Sequence, residues 1–427
     1  GAVVGRVLMR AVTFDVTVPR FLLAKTLGRV SNSAFYGGPS GVAMGKRALP
    51  GLPGPGWLRL RVDKAGICGS DIGNLTYSAS PAMEPFGSFP AVLGHEILAT
   101  VLEVAPGVTR AEPGQRVAID PMISCTVRGY GEGNHCPSCA DGLHSTCERA
   151  GEVGPTRIGG EPFAAGLTQG YHRSLSGGWA DELLAHDVQV FPVDDALEDH
   201  AAALIEPLAV GMHAVLNAPP ADRSEPVLVL GSGPIALGTV WALRATGFQG
   251  EIYAQTKREH EAQLARLLGA SQVISPGDEA REALVGTGAS AYMPIVGDEV
   301  YSGGGFPLIF DCVGSGQTLS QAMRYASPRG RIVMLGCAAE IPKLDLTFIW
   351  ARELQVKGFV GYGREEFRGE ESHTFEITHR LLLETGTPVQ ELVTHVFPLG
   401  QYRAALEAAS NRRRSKSVKV LLDPSAG

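Results

Sequence analysis

In the first half of the chain, apolar and polar positions alternate over short runs that Gly and Pro interrupt. A period of two places successive side chains on opposite faces, so these runs predict half-buried β-strands. Residues 57–62, 97–104 and 116–119 show it most clearly, and residues 1–15 alternate in the same way. Residues 50–56 form a turn-rich entry to the 57–62 strand. Residues 19–49 have weak periodicity and are expected to form an insertion or an extended arm.

From about residue 225 the pattern changes. Val227-Leu228-Val229-Leu230 is a continuous apolar run, which predicts a strand buried on both faces. A Gly-rich turn follows, then an apolar helix at 235–246, a strand at 252–254 and a helix at 259–268. Further strands are expected at 308–310 and 331–335. Strands that alternate with helices imply a parallel α/β sheet. The glycines of 286–305 predict a surface insertion, and the tail carries helices at 379–384 and 401–409 and a last strand at 417–422.

The length, 427 residues, exceeds one ordinary core and suits two domains. No apolar run approaches the roughly 20 residues that cross a bilayer. The N-terminus lacks a basic start followed by an apolar stretch, so no secretory signal is expected and a cytoplasmic protein is. With a net charge of −7, the chain offers nucleic acid no general attraction. Its one basic cluster, Arg412-Arg413-Arg414 with Lys416, reads as a solvated turn. Five of the seven cysteines lie between Cys68 and Cys147, a clustering that points to metal rather than disulfides.

The turn after 227–230 reads Gly231-Ser232-Gly233-Pro234-Ile235-Ala236, which fits G-x-G-x-x-G/A in its required place between a strand and a helix. The first Gly makes the tight turn, the second lets backbone approach a pyrophosphate, and the helix N-terminus receives the phosphates. Sites that prefer NAD carry a carboxylate about 20 residues on, at the end of the second strand. Here Gln255-Thr256-Lys257-Arg258 has none. A hydroxyl and two cations suit a 2′-phosphate, so NADP(H) is favoured over NAD(H).

Three further fragments carry chemistry: Gly66-Ile67-Cys68-Gly69-Ser70-Asp71, Gly94-His95-Glu96 and Ile205-Glu206-Pro207-Leu208. A thiolate, an imidazole and a carboxylate make a three-point zinc site with an open fourth position. Ser70 is placed to relay an alcohol proton, and Asp71 to hold the far nitrogen of His95.

These fragments, in this order, resemble the zinc-dependent medium-chain dehydrogenase/reductase family of alcohol, polyol and threonine dehydrogenases, over roughly residues 51–422. The resemblance implies a GroES-like, mostly-β catalytic domain at 1–211 and 363–427, and a doubly wound Rossmann domain with a parallel sheet at 212–362. It implies Cys68 and His95 as zinc ligands, Glu206 at the third-ligand position, and Glu96 as a direct or alternating ligand. It also implies a homodimer or homotetramer, with residues 346–360 resembling the interface.

Two departures stand out. Many members have His five residues after the catalytic Cys, where this chain has Gly73. Cys136-x2-Cys139-x7-Cys147 is three-quarters of the family's structural zinc pattern, and Gly133 stands where the first Cys belongs. Cys125, across a loop with Gly129, Gly131 and Gly133, is expected to return as the fourth thiolate, with His135 as its rival. Cys312 and Cys337 are expected to be buried and inert. Tyr171-His172-Arg173 and Gly177-Gly178-Trp179 are read as plain strand and turn, with a reach into the cleft as the alternative.

The expected activity is hydride transfer between NADP(H) and an alcohol or carbonyl compound held at zinc. Substrate choice falls to residues 72–93, to 19–49 and to the partner subunit. Two alternatives are an NADPH-dependent C=C or C=N reductase of the same fold and a non-catalytic NADP(H)-binding redox sensor.

Overall fold

The computed structural model describes residues 7–337 and 339–426. The strand expected at 1–15 is present as Val7–Phe14, and residues 1–6 lie outside the described residues. A seven-stranded sheet joins the two ends of the chain. Its order is Val190–Pro192, Arg116–Ile119, Ile97–Val104, Trp57–Ile67, Lys419–Asp423 and Val393–Pro398, with Glu182–His186 also paired to Trp57–Ile67. Alternate side chains of these strands (Leu58, Leu60, Val62, Ala99, Val101, Val117) fill one core, as a period of two requires.

A six-stranded parallel sheet carries the other half. Its order is Gln272–Ile274, Ile252–Gln255, Val227–Leu230, Phe306–Asp311, Ala326–Met334 and Gln355–Gly358. This is the doubly wound order in which strands run outward in both directions from Val227–Leu230. That run is apolar throughout because both faces are covered. Val227 and Val229 pack beneath the helix Pro234–Ala245, and Leu228 and Leu230 join a second core on the opposite face. The helix Ile205–Asn217 packs on Pro234–Ala245 through the first of these cores.

One of the alternatives for the early segment is excluded. Residues 19–49 are not an extended arm: Thr17 caps a helix at Val18–Gly28, and Val42–Leu49 pairs antiparallel with the whole of Val7–Phe14. The helix is weakly amphipathic and exposes Leu22 and Leu23, which explains its faint sequence signal. The surface insertion expected at 286–305 takes the form of a hairpin, Ser290–Tyr292 with Val300–Ser302, whose connection exposes Met293, Ile295 and Val296. No helix among the described residues is long and apolar enough to cross a membrane.

Candidate active site and coenzyme cleft

Cys68 follows the strand Trp57–Ile67, while His95 and Glu96 precede the strand Ile97–Val104. These strands pair Ala65 with Ile97, and Gly66 N donates to Glu96 O at 2.8 Å. Register alone therefore brings the three side chains together, and their ligand atoms lie within 4.8 Å of one another. Gly66 is required for this: a Cβ there would stand 1.8 Å from Glu96 Oε2.

Asp71 is fully buried behind the cluster. One carboxylate oxygen accepts from Cys68 N at 2.8 Å, and the other lies 3.5 Å from His95 Nδ1. Burial works against the imidazolium, but the Asp71 and Cys68 side chains outweigh it and raise the His95 pKa well above its usual value. His95 Nδ1 has no hydrogen-bond partner among the described residues.

The structure brings Tyr171 into the site, the alternative to a plain strand and turn. Its hydroxyl lies 2.7 Å from Asp71 Oδ1 and 3.0 Å from Ser70 Oγ, and its ring is 5.3 Å from that of His95. Burial and the neighbouring Asp71 raise the Tyr171 pKa well above normal, so it remains a phenol and a donor. His172, by contrast, is structural: it bonds Ala164 O at 2.9 Å, and burial lowers its pKa to about 3. Trp179 is also buried and donates from its indole to Gly66 O at 3.1 Å.

Each glutamate has a buried partner. Lys419 Nζ lies 2.5 Å from Glu96, with both side chains 2% exposed. A lysine set in Val418-Lys419-Val420-Leu421-Leu422 is a charge inside an apolar strand, and that was the available signal. Glu206 opens the helix Ile205–Asn217 and accepts from Tyr362 Oη at 2.8 Å. Burial raises its pKa to about 7, with His95 opposing the rise and Glu96 adding to it. Tyr362 had no local sequence signal. Glu206 is thus close to the cluster but lies outside the set of three that converges.

The second group is Cys125, Cys136, Cys139 and Cys147, all buried, with sulfurs within 4.8 Å of one another. Cys125 Sγ is 3.9 Å from Cys147 Sγ. Tetrahedral bonds of 2.3 Å to a zinc ion separate sulfurs by about 3.8 Å, whereas a disulfide requires about 2.05 Å. The group therefore fits a metal. The rival, His135, turns away and contacts Thr126 Oγ1 at 3.2 Å.

The Gly-rich turn joins Val227–Leu230 to the helix Pro234–Ala245. Gly231 has φ +121°, a value that favours glycine, and Gly233, Pro234 and Ile235 lead into the helix. Gln255, buried at the end of the second strand, exchanges amide hydrogen bonds with Gln321. Thr256 is buried, Lys257 is exposed, and Arg258 binds Glu261 Oε1 at 2.6 Å.

Two sequence expectations fail here. Arg412 does not belong to a merely solvated turn, because its guanidinium donates to Ser232 O at 2.9 Å and to Glu261 Oε1 at 3.0 Å. Cys337 has an exposed surface rather than being enclosed, yet its thiol still sits among protein atoms: burial raises its pKa, and the Cys68 and His95 charges act on it as well. Its strand ends at Met334, so this thiol sits in the loop beyond. Cys312 is half-buried 3.7 Å from Thr239 Oγ1, and burial pushes its pKa up to about 12, which keeps it a thiol.

Comparison with known proteins agrees with this geometry. Residues 54–195 match the alcohol dehydrogenase GroES-like domain family, and residues 234–375 match the zinc-binding dehydrogenase family. The chain is 29% identical over 379 residues to sorbitol dehydrogenase of Gallus gallus, an alignment that covers 87% of this chain and 90% of that one. A zinc-binding dehydrogenase from Sinorhizobium meliloti bound to NADP superposes with a TM-score of 0.68 at 25% identity, covering 98% of this chain and 100% of that one. A short chain alcohol dehydrogenase from Escherichia coli complexed with NADH superposes with a TM-score of 0.70 at 21% identity, over 98% of this chain and 100% of that one.

Proposed function

This chain belongs to the zinc-dependent medium-chain dehydrogenase/reductase family, and we propose that it moves a hydride between NADP(H) and a polyhydroxyl alcohol or the matching ketone. One observation carries the reading: Cys68, His95 and Glu96 converge, and Cys337, in the loop beyond the carboxyl end of the strand Ala326–Met334, is near enough for the charges of Cys68 and His95 to act on it. Ligands of such sheets sit outside the strands' carboxyl ends. A nicotinamide there meets a substrate held at the cluster. Similarity to sorbitol dehydrogenase supports a polyhydroxyl substrate.

A zinc ion at the cluster supplies a Lewis acid that polarises the substrate oxygen. Asp71 faces Nδ1 of His95 and so leaves Nε2 as the metal-binding nitrogen. Lys419 offsets the charge of Glu96, whereas burial raises the Glu206 pKa to about 7, and a cation held beside it would favour the carboxylate, its proton passing to solvent. Tyr171 has one proton and two oxygens in reach. Its hydroxyl donates toward Asp71 Oδ1 at 2.7 Å and toward Ser70 Oγ at 3.0 Å. A Ser70 lone pair then stays open for the proton of a substrate hydroxyl. Tyr171 offers the next oxygen, in place of the histidine absent at Gly73.

Selection of NADP(H) rests on residues rather than on fold, since neighbours of this fold hold either coenzyme. It is supported by the missing carboxylate at Gln255 and by the ammonium of Lys257, which has no ion-pair partner among the described residues. Cys125, Cys136, Cys139 and Cys147 hold a second, structural zinc with no open position. We place the catalytic part at 1–211 and 363–427 and the nucleotide part at 212–362, in a cytoplasmic homodimer or homotetramer. The edge strand Gln355–Gly358, beside exposed Leu346, Trp350 and Val360, supports pairing there.

The test is a panel of polyols with NADP⁺, followed by the absorbance of the reduced nicotinamide. Turnover by the zinc-loaded protein, lost in Cys68→Ser while NADPH still binds, is expected. A zinc-loaded protein that binds NADPH but turns over no alcohol or carbonyl compound would favour the redox sensor.

A further inference from the structure

The C-terminal turn that carries Arg413 and Lys416 stands across a cleft from Lys257 and Arg258. The cleft has a volume of about 680 Å³ and is also lined by Glu259, His260 and Gln263. Two loops remote in sequence therefore share one wall of charge. Arg412 fastens them together. Its guanidinium donates to Ser232 O in the Gly-rich turn at 2.9 Å, to Glu261 Oε1 at 3.0 Å and to Ser417 O at 3.1 Å.

The charges around the cleft do not balance. Glu261 is taken by Arg258 and Arg412. Glu259 faces Arg266 at 3.5 Å. Among the described residues, the side chains of Lys257, Arg413 and Lys416 have no hydrogen-bond or ion-pair partner. Three unpaired cations thus face one concavity, which opens at the N-terminus of the helix Glu259–Leu267. Positive charge is unfavourable at that end of a helix unless an anion sits between. The nearby cations also help to lower the pKa of His260, after burial. The cleft adjoins Gln255, the end of the second strand, where a Rossmann fold receives the adenosine ribose.

We propose that Arg413 and Lys416 form, with Lys257 and Arg258, a receptor for the 2′-phosphate of the coenzyme, split between the C-terminal turn and the nucleotide-binding sheet. This rests on the NADP(H) reading above. The phosphate of the coenzyme then draws the C-terminal turn onto the Gly-rich turn, along the link that Arg412 already makes. Arg413 and Lys416 are specificity residues, and Arg412 is a positioning residue.

The test is binding, read by calorimetry on the full chain with NADPH, NADH and 2′,5′-adenosine bisphosphate. Arg413→Ala and Lys416→Ala are each expected to weaken NADPH and the bisphosphate about tenfold or more, as loss of a charge-assisted contact does. NADH should bind all variants alike. Arg414 lies in the same turn but does not line the cleft. Arg414→Ala, which removes the same charge, should change nothing. If the parent binds NADPH more tightly than NADH and both variants keep that ratio, the split receptor is refuted and the coenzyme reading stands. If Arg414→Ala weakens NADPH as much as the others, only general attraction is at work and the receptor is likewise refuted. If the parent binds NADH as tightly as NADPH, the coenzyme reading itself fails, and the receptor with it. Inorganic phosphate displacing the bisphosphate but not 5′-AMP would support a dedicated phosphate pocket.

Discussion

Replacing Lys419 by Met is the sharpest perturbation of the buried centre. Lys419 and Glu96 are each 2% exposed and 2.5 Å apart, and no other cation binds Glu96 among the described residues. Met keeps most of the volume and removes the charge, which leaves a carboxylate buried without its partner. Breaking such a pair costs about 3–5 kcal/mol, against about 0–1 kcal/mol for an exposed pair. For a catalytic part of this size, each kcal/mol moves Tm by roughly 2–4 °C, so a fall of roughly 6–20 °C is expected. Adding Glu96→Gln to Lys419→Met removes both charges and should recover much of the loss, a non-additivity that a double-mutant cycle reads directly. The assay is calorimetry of the parent, both single variants and the double variant, with hydrogen exchange at the amides of 420–422 to place the loss in this sheet. A single variant within about 1 kcal/mol of the parent, the figure for a surface pair, would refute the reasoning. So would a double variant as damaged as the two singles summed.

Three further outcomes follow from the same geometry. Cys125→Ser should lower zinc by one ion per chain, whereas His135→Ala should leave the metal content unchanged, both read by elemental analysis. Tyr171→Phe keeps the ring against His95 but removes the oxygen beside Ser70, so kcat should fall by about tenfold or more while NADPH affinity holds; an unchanged kcat at all pH values would exclude Tyr171 from the relay. Glu206 titrates near 7 in the fold, against 4.5 ordinarily. Between these values the unfolded chain has lost a proton that the folded one keeps, so this group makes metal-free protein less stable as pH rises. Glu206→Gln should therefore gain on the metal-free parent from about pH 4.5 to 7, by roughly 2–4 kcal/mol in all, and then level off. Urea titrations across that range check it, and parallel curves for the two proteins would contradict it.

Much of this architecture was legible because it rests on local pattern. The apolar run Val227–Leu230 and the turn at Gly231 announce a buried strand and a phosphate-binding helix within a dozen residues. The thiols were legible by spacing, and Gly129, Gly131 and Gly133 gave Cys125 the slack to return. What stayed hidden depends on long-range pairing. Lys419 reaches Glu96 only because Lys419–Asp423 lies antiparallel to Trp57–Ile67, a contact across more than three hundred residues. Tyr171 enters the site by a loop whose course no periodicity marks. Arg412 and its neighbours read as a solvated turn because sequence spacing does not show that the helical turn Arg412–Ser415 stands beside the Gly-rich turn. The helix Val18–Gly28 was missed for a different reason, since it buries little and so has no strong face.

The central claim is that Cys68 and His95 hold a metal on which hydride transfer depends. Zinc per chain, measured by elemental analysis together with NADPH-linked turnover for the parent and for Cys68→Ser, tests it most directly. The account predicts two zincs in the parent, one in the variant, and turnover in the parent alone. A variant that keeps two zincs, or that keeps turnover with one, would contradict it.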